Sequence, residues 1–505
     1  MSLKVLNQAL EIEQLVGAQS AQVLLRAEAL VPGAGREAIE ALMAEADLVI
    51  GNTDVQTDRV VIDGVAHCQA IYRQGEESTL RALTAQAALS HVFDLPGAQA
   101  GLPGRVHAQV EHVEAKYENG HMVFYVTASV AVQVLRLVPM EVITGLEGVD
   151  ALESDYQEIR SVKLAAENNV PVTLTEEVSL PAALDARMAL MDWAGVQIDQ
   201  ASADLGGVRV SGKVNLETLI SSGVAGRPVA LIKYPIAFDQ LIELPEWLTK
   251  DVYAEATIRS LRTQVEQGEE GEDAILRIEA ELLIALQALA TDSALALTDA
   301  YTTSGPALEI ERQKIDAARI ERSQCAEAFR GTVLLPEGAP PVGNVLAVRV
   351  RPNLGGWSSE NGRSVLEGVL EANVLYMPGG TDKLAAAQAE LPFEITCQGE
   401  LTEDSWISVE AASADANALM SDRVELRCNL IATMETRVLE NVSLVQSVME
   451  GEPAGKRPGI VLFWPGKEDS VWTIGKRYNV PVSEVLAMNG GTSVIRQGKA
   501  LVLRI

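Results

Sequence analysis

Three glycine-centred segments recur along this chain in the same order and in similar surroundings, and a repeat of that kind constrains a fold more than any single motif. Val60 to Tyr72 contains Gly64, Val208 to Ile220 contains Gly212, and Arg363 to Tyr376 contains Gly368. The glycines are 148 and 156 residues apart. That spacing is too wide for a solenoid unit and suits a complete domain. A polar turn follows each segment, at Arg73–Glu76, Ser221–Gly223 and Pro378–Gly380. A second apolar run then closes on a related ending: Ala88 to Phe93, Tyr234 to Phe238 and Ala389 to Phe393.

The later half of each copy also alternates with period two, the signature of a half-buried strand. Val106 to Val113 leads through Glu118-Asn119-Gly120 to Met122–Val134, and Asn-Gly is a strong hairpin signal. Tyr253–Val265 followed by Ala274–Leu289, and Trp406–Ala412 followed by Val424–Met434, repeat the arrangement. The expected fold class is therefore mainly β, with three repeated β-sandwich-like domains. The segment ahead of each glycine varies more. Arg36 to Ala46 reads as a helix, with Ile39, Leu42 and Met43 sharing a face. Leu184 to Trp193 takes the equivalent place in the second copy, and a Pro- and Gly-rich stretch, Gly338 to Gly356, in the third. Leu308 to Cys325, after Ser304-Gly305-Pro306, reads as a charged helical linker whose Ile310, Ile315 and Ile320 are too sparse for a coiled coil. The expected division is 10–150, 160–307, the linker 308–325, 326–450, a second linker 451–459, and a small module 460–505.

That small module reads as β-α-α-β. Ile460–Trp464 is a strand, Ser470 caps a short helix ending at Tyr478, and Val482–Met488 forms a second helix capped by the preceding polar turn or by Ser483. Leu501–Ile505 supplies the closing strand. Gly466, Asp469-Ser470-Val471-Trp472, Ile474, Arg477-Tyr478-Asn479-Val480, Val485-Leu486, Asn489 and Gly498-Lys499-Ala500-Leu501 resemble the LysM pattern. The resemblance implies a shallow groove for N-acetylglucosamine-containing glycans, such as peptidoglycan, or for a protein. Its residues would be Asp469, Ser470, Val471, Met488, Asn489, Gly490 and Gly491, with Trp464 as a stacking candidate. Lys467-Glu468 extend the first turn beyond the usual pattern, and Trp472 reads as a core aromatic.

The three glycine-centred copies resemble the spore-coat-associated DUF3794, or SPOCS, domains. Three such copies ahead of a LysM domain resemble the SipL-like family of spore coat morphogenesis proteins. The resemblance implies a non-enzymatic adaptor in the mother-cell cytoplasm, recruited to the forespore surface or spore coat. It also implies a coat morphogenetic ATPase or another coat protein as partner.

The chemistry-bearing residues agree with that expectation. Lys plus Arg total 40 against 70 Asp plus Glu, a net charge of −30, which disfavours nucleic acid and anionic membranes. No run approaches the 18 or so apolar residues of a membrane span, and Met1–Gly17 lacks the pattern of a secretory signal. All five histidines fall in the first copy, so no His-dependent chemistry is repeated. His107 and His112, five residues apart, would face opposite sides of a continuous strand. The acidic loop Glu266–Asp273 lacks the ordered alternation of a calcium loop, and phosphate-loop, dinucleotide and nucleophile-elbow signatures are missing. No catalytic, metal or cofactor residues are expected. Cys68, Cys325, Cys397 and Cys428 are expected as reduced, buried thiols, with Cys397 and Cys428 candidates for neighbouring strands.

Overall fold

The structure is a computed structural model that describes residues 3–33, 38–75, 79–268, 272–381, 383–453, 459–467, 469–491 and 500–504. It is mostly antiparallel β-sheet, with two short helices near the carboxy terminus. The first six strands are β1 (Lys4–Leu30), β2 (Ile39–Gln56), β3 (Arg59–Gln74), β4 (Thr79–Asp94), β5 (Gly104–Glu118) and β6 (His121–Glu147). They form two three-stranded sheets, ordered β1-β6-β5 and β2-β3-β4. Next come β7 (Leu152–Leu180), β8 (Ala186–Asp204), β9 (Gly207–Ser222), β10 (Val229–Glu243), β11 (Val252–Glu266) and β12 (Ala274–Thr302), ordered β11-β12-β7 and β10-β9-β8. The pattern recurs in β13 (Pro306–Leu334), β14 (Val342–Glu360), β15 (Arg363–Pro378), β16 (Ala385–Gln398), β17 (Trp406–Met420) and β18 (Arg423–Pro453).

Period-two burial explains why these segments are strands. In β12 the residues Ala274, Leu276, Ile278, Ala280, Leu282, Ile284, Leu286 and Ala288 are all buried while their intervening neighbours are more exposed. Within each group of six strands the two sheets share a core. Ala66, Cys68, Ala70 and Tyr72 of β3 meet Met122, Phe124 and Val126 of β6 in the first. Leu366, Leu370 and Val374 of β15 meet Leu426, Leu430 and Met434 of β18 in the third.

The repeated glycine has a specific cause. Opposite Gly64, Gly212 and Gly368 the partner strand carries a β-bulge, between Ile50 and Asn52, Ile198 and Gln200, and Leu354 and Gly356. A Cβ on these glycines would stand 2.6, 2.2 and 2.2 Å from the carbonyl oxygens of Val49, Gln197 and Asn353. Only glycine leaves room for that close approach. On the other side, Phe238 and Phe393 pair with Gly212 and Gly368, and their rings cover the space. In the first group that position is Leu89, and Phe93 lies opposite Val60, so the three phenylalanines are not equivalent.

Several expectations are corrected. The described part of Arg36–Ala46 is strand β2, not helix. A bulge between Ala41 and Met43 lets the adjacent Leu42 and Met43 both be buried, which mimics helical spacing. Leu184–Trp193 is the end of a 3-10 turn followed by β8, with the same bulge between Ala189 and Met191. Gly338–Gly356 is largely β14. Leu308–Cys325 is not a helical linker, because Pro306–Leu334 pairs with β18 along its length and supplies the third group with its first strand. Cys325 and Cys397 form a disulfide with Cα atoms 5.6 Å apart, joining β13 to β16. Cys428 is free and buried, on the sheet across from Cys397, and burial pushes its thiol up to about 11. The later strands also run further than the alternation suggested, β6 to Glu147, β12 to Thr302 and β18 to Pro453.

The three groups close on one another. The β3–β4 side of the first meets β8 of the second, β10 meets β14 of the third, and β15–β16 meet β2 of the first. This is the head-to-tail arrangement of a cyclic trimer, within one chain. At the centre lies an apolar cluster that takes matching residues from each group: Met43, Met191 and Ala347 beyond a bulge, and Ile71, Leu219 and Leu375 seven residues after the glycine. The extensions of the long strands meet in a second set of clusters, where Ile143, Leu297 and Val445 are equivalent, as are Leu146, Ala300 and Val448.

Candidate functional site

The carboxy-terminal module holds every residue nominated as a binding site. β19 (Ile460–Phe463) pairs with β20 (Leu501–Arg504), and α1 (Val471–Tyr478) and α2 (Val482–Met488) lie between them in sequence. Their core is Ile474, Val480, Val485 and Leu503, packed against Val461, Phe463 and Tyr478. Gly498-Lys499, Glu468 and most of 451–459 lie outside the described residues.

Three of the nominated side chains are occupied in holding the module together. Asp469 accepts from the Gly466 amide at 2.8 Å and pairs with Arg477 at 3.1 Å. Ser470 caps α1, accepting from the Thr473 amide at 3.0 Å while the Thr473 hydroxyl accepts from the Ser470 amide, a reciprocal capping box. Asn489 clamps α2 to β20, donating to the carbonyls of Val485 and Val502 and accepting from the Val502 amide, each at 2.8 Å. Neither alternative for the cap of α2 applies, since Pro481 stands there with no side-chain bond.

The others face outward. Gly490 and Gly491 have positive φ, 84° and 72°, in an exposed turn after α2, and Met488 is exposed beside it. Val471 opens α1 half-buried. Trp464 is 61% exposed and continues the outer face of β19 after Ile460 and Leu462, which are exposed as well.

Trp472 is not a core residue of the module. Its indole donates to Asp299 Oδ2 at 2.8 Å, and its ring meets Tyr301 edge-on with centroids 5.0 Å apart. Tyr301 donates its hydroxyl proton to the Val480 carbonyl at 2.8 Å. Asp299 also takes Lys476 of α1 and, at 2.5 Å, Arg312 of β13. Burial pushes the Asp299 carboxyl up, but the bonds from Lys476 and Trp472 and the charge of Arg312 outweigh it and hold the group below the ordinary range. The contact made by Asp299 and Tyr301 is not legible in the sequence by itself. Its one sequence signal is a mismatch among copies, because the equivalent residues are Gly145 and Glu147 in the first group and Ser447 and Met449 in the third.

Elsewhere, charge concentrates where the three groups meet. Glu435 is held by Arg105 and, at 2.8 Å, by Arg322, and both arginines also donate to Gln287. Nearer the apolar cluster Arg351 pairs with Glu45 at 2.7 Å, and Arg349 stacks over Trp193 with 5.1 Å to its centroid. His112 contacts Glu371 at 3.0 Å, whereas His107 packs against Trp406, and burial pulls its imidazole below the ordinary value. A bulge between Val110 and His112 interrupts the strand they share. A cavity of about 250 Å³ opens between β2, β5 and the β15–β16 edge, lined by Leu42, Met43, Val113, Glu114, Asn373 and Gln388. In the acidic loop, Asp273 is tied to Ser179 and the Ala182 amide, and 269–271 lie outside the described residues. Among the described residues no group of three His, Cys, Asp or Glu is placed to hold a metal ion, and no helix is long and apolar enough to cross a membrane.

Paired antiparallel sheets, closed on one another around buried ion pairs, define a β-rich protein of repeated sheet groups. Within it, a domain described as SipL, SPOCS domain is present over residues 38–118, about a sixth of the chain. The matched stretch is β2 to β5, including Gly64 and its bulge. This is a sporulation-related assignment, and it accords with a non-enzymatic structural role. Comparison with curated proteins and with solved structures gave no match.

Proposed function

We propose that this protein is a non-enzymatic adaptor of the bacterial spore coat. In this reading it is built of three SPOCS domains, at 10–150, 160–305 and 306–450, the last taking in the 308–325 stretch as part of its first strand, and a LysM-like module at 460–505. The observation that carries the proposal is the SipL/SPOCS match over β2–β5, together with the recurrence of its glycine-opposite-bulge device at Gly212 and Gly368. The acidic body supplies the scaffold. The carboxy-terminal module docks on a coat morphogenetic ATPase or another coat protein at the forespore surface, where the chain is recruited from the mother-cell cytoplasm. The exposed Trp464 beside Ile460 and Leu462 favours a protein surface over a sugar, since three of the groove side chains are engaged internally.

The second reading is recognition of N-acetylglucosamine-containing peptidoglycan or cortex, favoured by the exposed Met488, Gly490 and Gly491 at the turn after α2. The full chain and its Trp464→Ala variant, each offered to purified coat ATPase and to peptidoglycan sacculi, separate the two. Saturable ATPase binding weakened about tenfold by the substitution is the expected result, as for loss of an exposed aromatic anchor. Saturable retention on sacculi without ATPase binding would overturn it.

A further inference from the structure

Asp299 and Tyr301 occupy the end of β12, in the second group of strands, yet they bind a module that follows the third group in sequence. The contact is specific in several independent ways. The Asp299 carboxylate takes one donor from the Trp472 indole and another from the Lys476 ammonium. The Tyr301 hydroxyl reaches the carbonyl of Val480, just beyond α1, and its ring meets the Trp472 edge. Gly475 lies between them, and a Cβ there would stand 2.5 Å from the Tyr301 hydroxyl. The helix can therefore seat only because residue 475 has no side chain.

Charge favours the same pairing. Residues 460–505 hold six Lys or Arg and three Asp or Glu, a basic module in a chain of net −30. Neither equivalent end offers the same groups. Gly145 and Glu147 of β6 lack both the carboxylate at the first position and the phenol at the second, as do Ser447 and Met449 of β18.

We infer that the end of β12 is a dedicated receptor for the chain's own carboxy-terminal module. It seats α1 by its Trp472–Gly475–Lys476 face and leaves the outer face of β19 open to solvent. The module is thus presented in one orientation and does not swing on its linker, and a partner that needs the α1 face must first displace Asp299 and Tyr301. Because the carboxylate is held below its ordinary value by Lys476, Trp472 and Arg312, with Glu153 opposite Tyr301 in register, the contribution of Asp299 to the seat is complete above about pH 4 and fades as pH falls through the folded value.

Zero-length carbodiimide coupling of the full chain tests the seat directly. A mixture of isotopically light and heavy protein should yield the Asp299–Lys476 cross-linked peptide in light–light and heavy–heavy form only. Hydrogen exchange gives a second readout, in which Asp299→Asn and Gly475→Ala should each speed exchange of the α1 amides about tenfold or more. Exchange in the β12–β7 ladder should stay unchanged, as should α1 exchange in the control Glu147→Gln. Absence of the cross-link, a heavy–light product, or α1 exchange unaltered in both variants would overturn the inference.

Discussion

Two glutamates at the meeting of the three groups are alike in burial and in having arginine partners, yet they respond to the fold in opposite ways. Glu435 lies between Arg105 and Arg322, and although burial pushes its carboxyl up, the hydrogen bonds and charges of both arginines bring it below the ordinary value. Glu45 has Arg351 at 2.7 Å and Arg349 nearby, but burial dominates, Asp47 and Glu371 add like charge, and its carboxyl is raised. Arg351 is shared with Glu371, and its Nη1 makes no hydrogen bond. The difference teaches that a buried ion pair stabilises only where its partners outnumber its desolvation and its like-charged neighbours. The Glu435 cluster contributes stability. The Glu45 cluster instead distinguishes the groups, since equivalent strand positions carry Glu45, Trp193 and Arg349, then Asp47, Gly195 and Arg351.

The largest expected effect is at Glu435. Glu435→Ala leaves two half-buried arginines without their carboxylate and should cost about 3–5 kcal/mol in urea denaturation, because an uncompensated buried charge remains. The neighbouring apolar cluster gives a scale, with Leu219→Ala expected to cost about 2–5 kcal/mol through the cavity it opens. Replacing Glu45 and Arg351 together by leucine and methionine should leave stability unchanged or raise it by about 1–4 kcal/mol. A large loss in that double variant would break the distinction drawn between the clusters.

A smaller effect separates the two carboxyls by pH. The folded protein holds Glu45 above its unfolded value of about 4.3, so the wild type should gain on Glu45→Gln as pH falls from 7 toward 4. Glu435 is held below that value, so its contribution is complete above about pH 4.3 and should fade relative to Glu435→Gln as pH falls through the folded value. Least of all, Lys4→Ala should leave the urea midpoint unchanged, because the Lys4–Glu147 pair is exposed and solvent-screened.

Much of the sheet structure was legible in the sequence, because period-two burial and the Asn119-Gly120 turn are local signals. In that hairpin Asn119 and Gly120 both take positive φ, 49° and 90°, as a two-residue turn between β5 and β6 requires. The segments read as helix or linker failed for a local reason too: a bulge places Leu42 next to Met43 in the core, and burial three and four residues apart then looks helical. The charged face of Leu308–Cys325 hid a strand whose partner begins about 100 residues later, at Arg423. In the small module the helices, the Ser470 cap and the closing strand could be read directly. The employment of Asp469 and Asn489 could not, since their partners are backbone groups brought near only by folding. Trp472 was harder still, because its partner Asp299 lies 173 residues away.

The seat on β12 acts on a tethered ligand. Seven peptide steps separate Pro453 from Ile460, a reach of at most about 25 Å, which keeps the module at an effective concentration on the order of 1 mM near the receptor. An intrinsic affinity of roughly 0.1 mM then suffices to keep about nine molecules in ten seated. A free competitor for the α1 face meets that same local concentration, so its own affinity must be about tenfold better than its dilution alone would require.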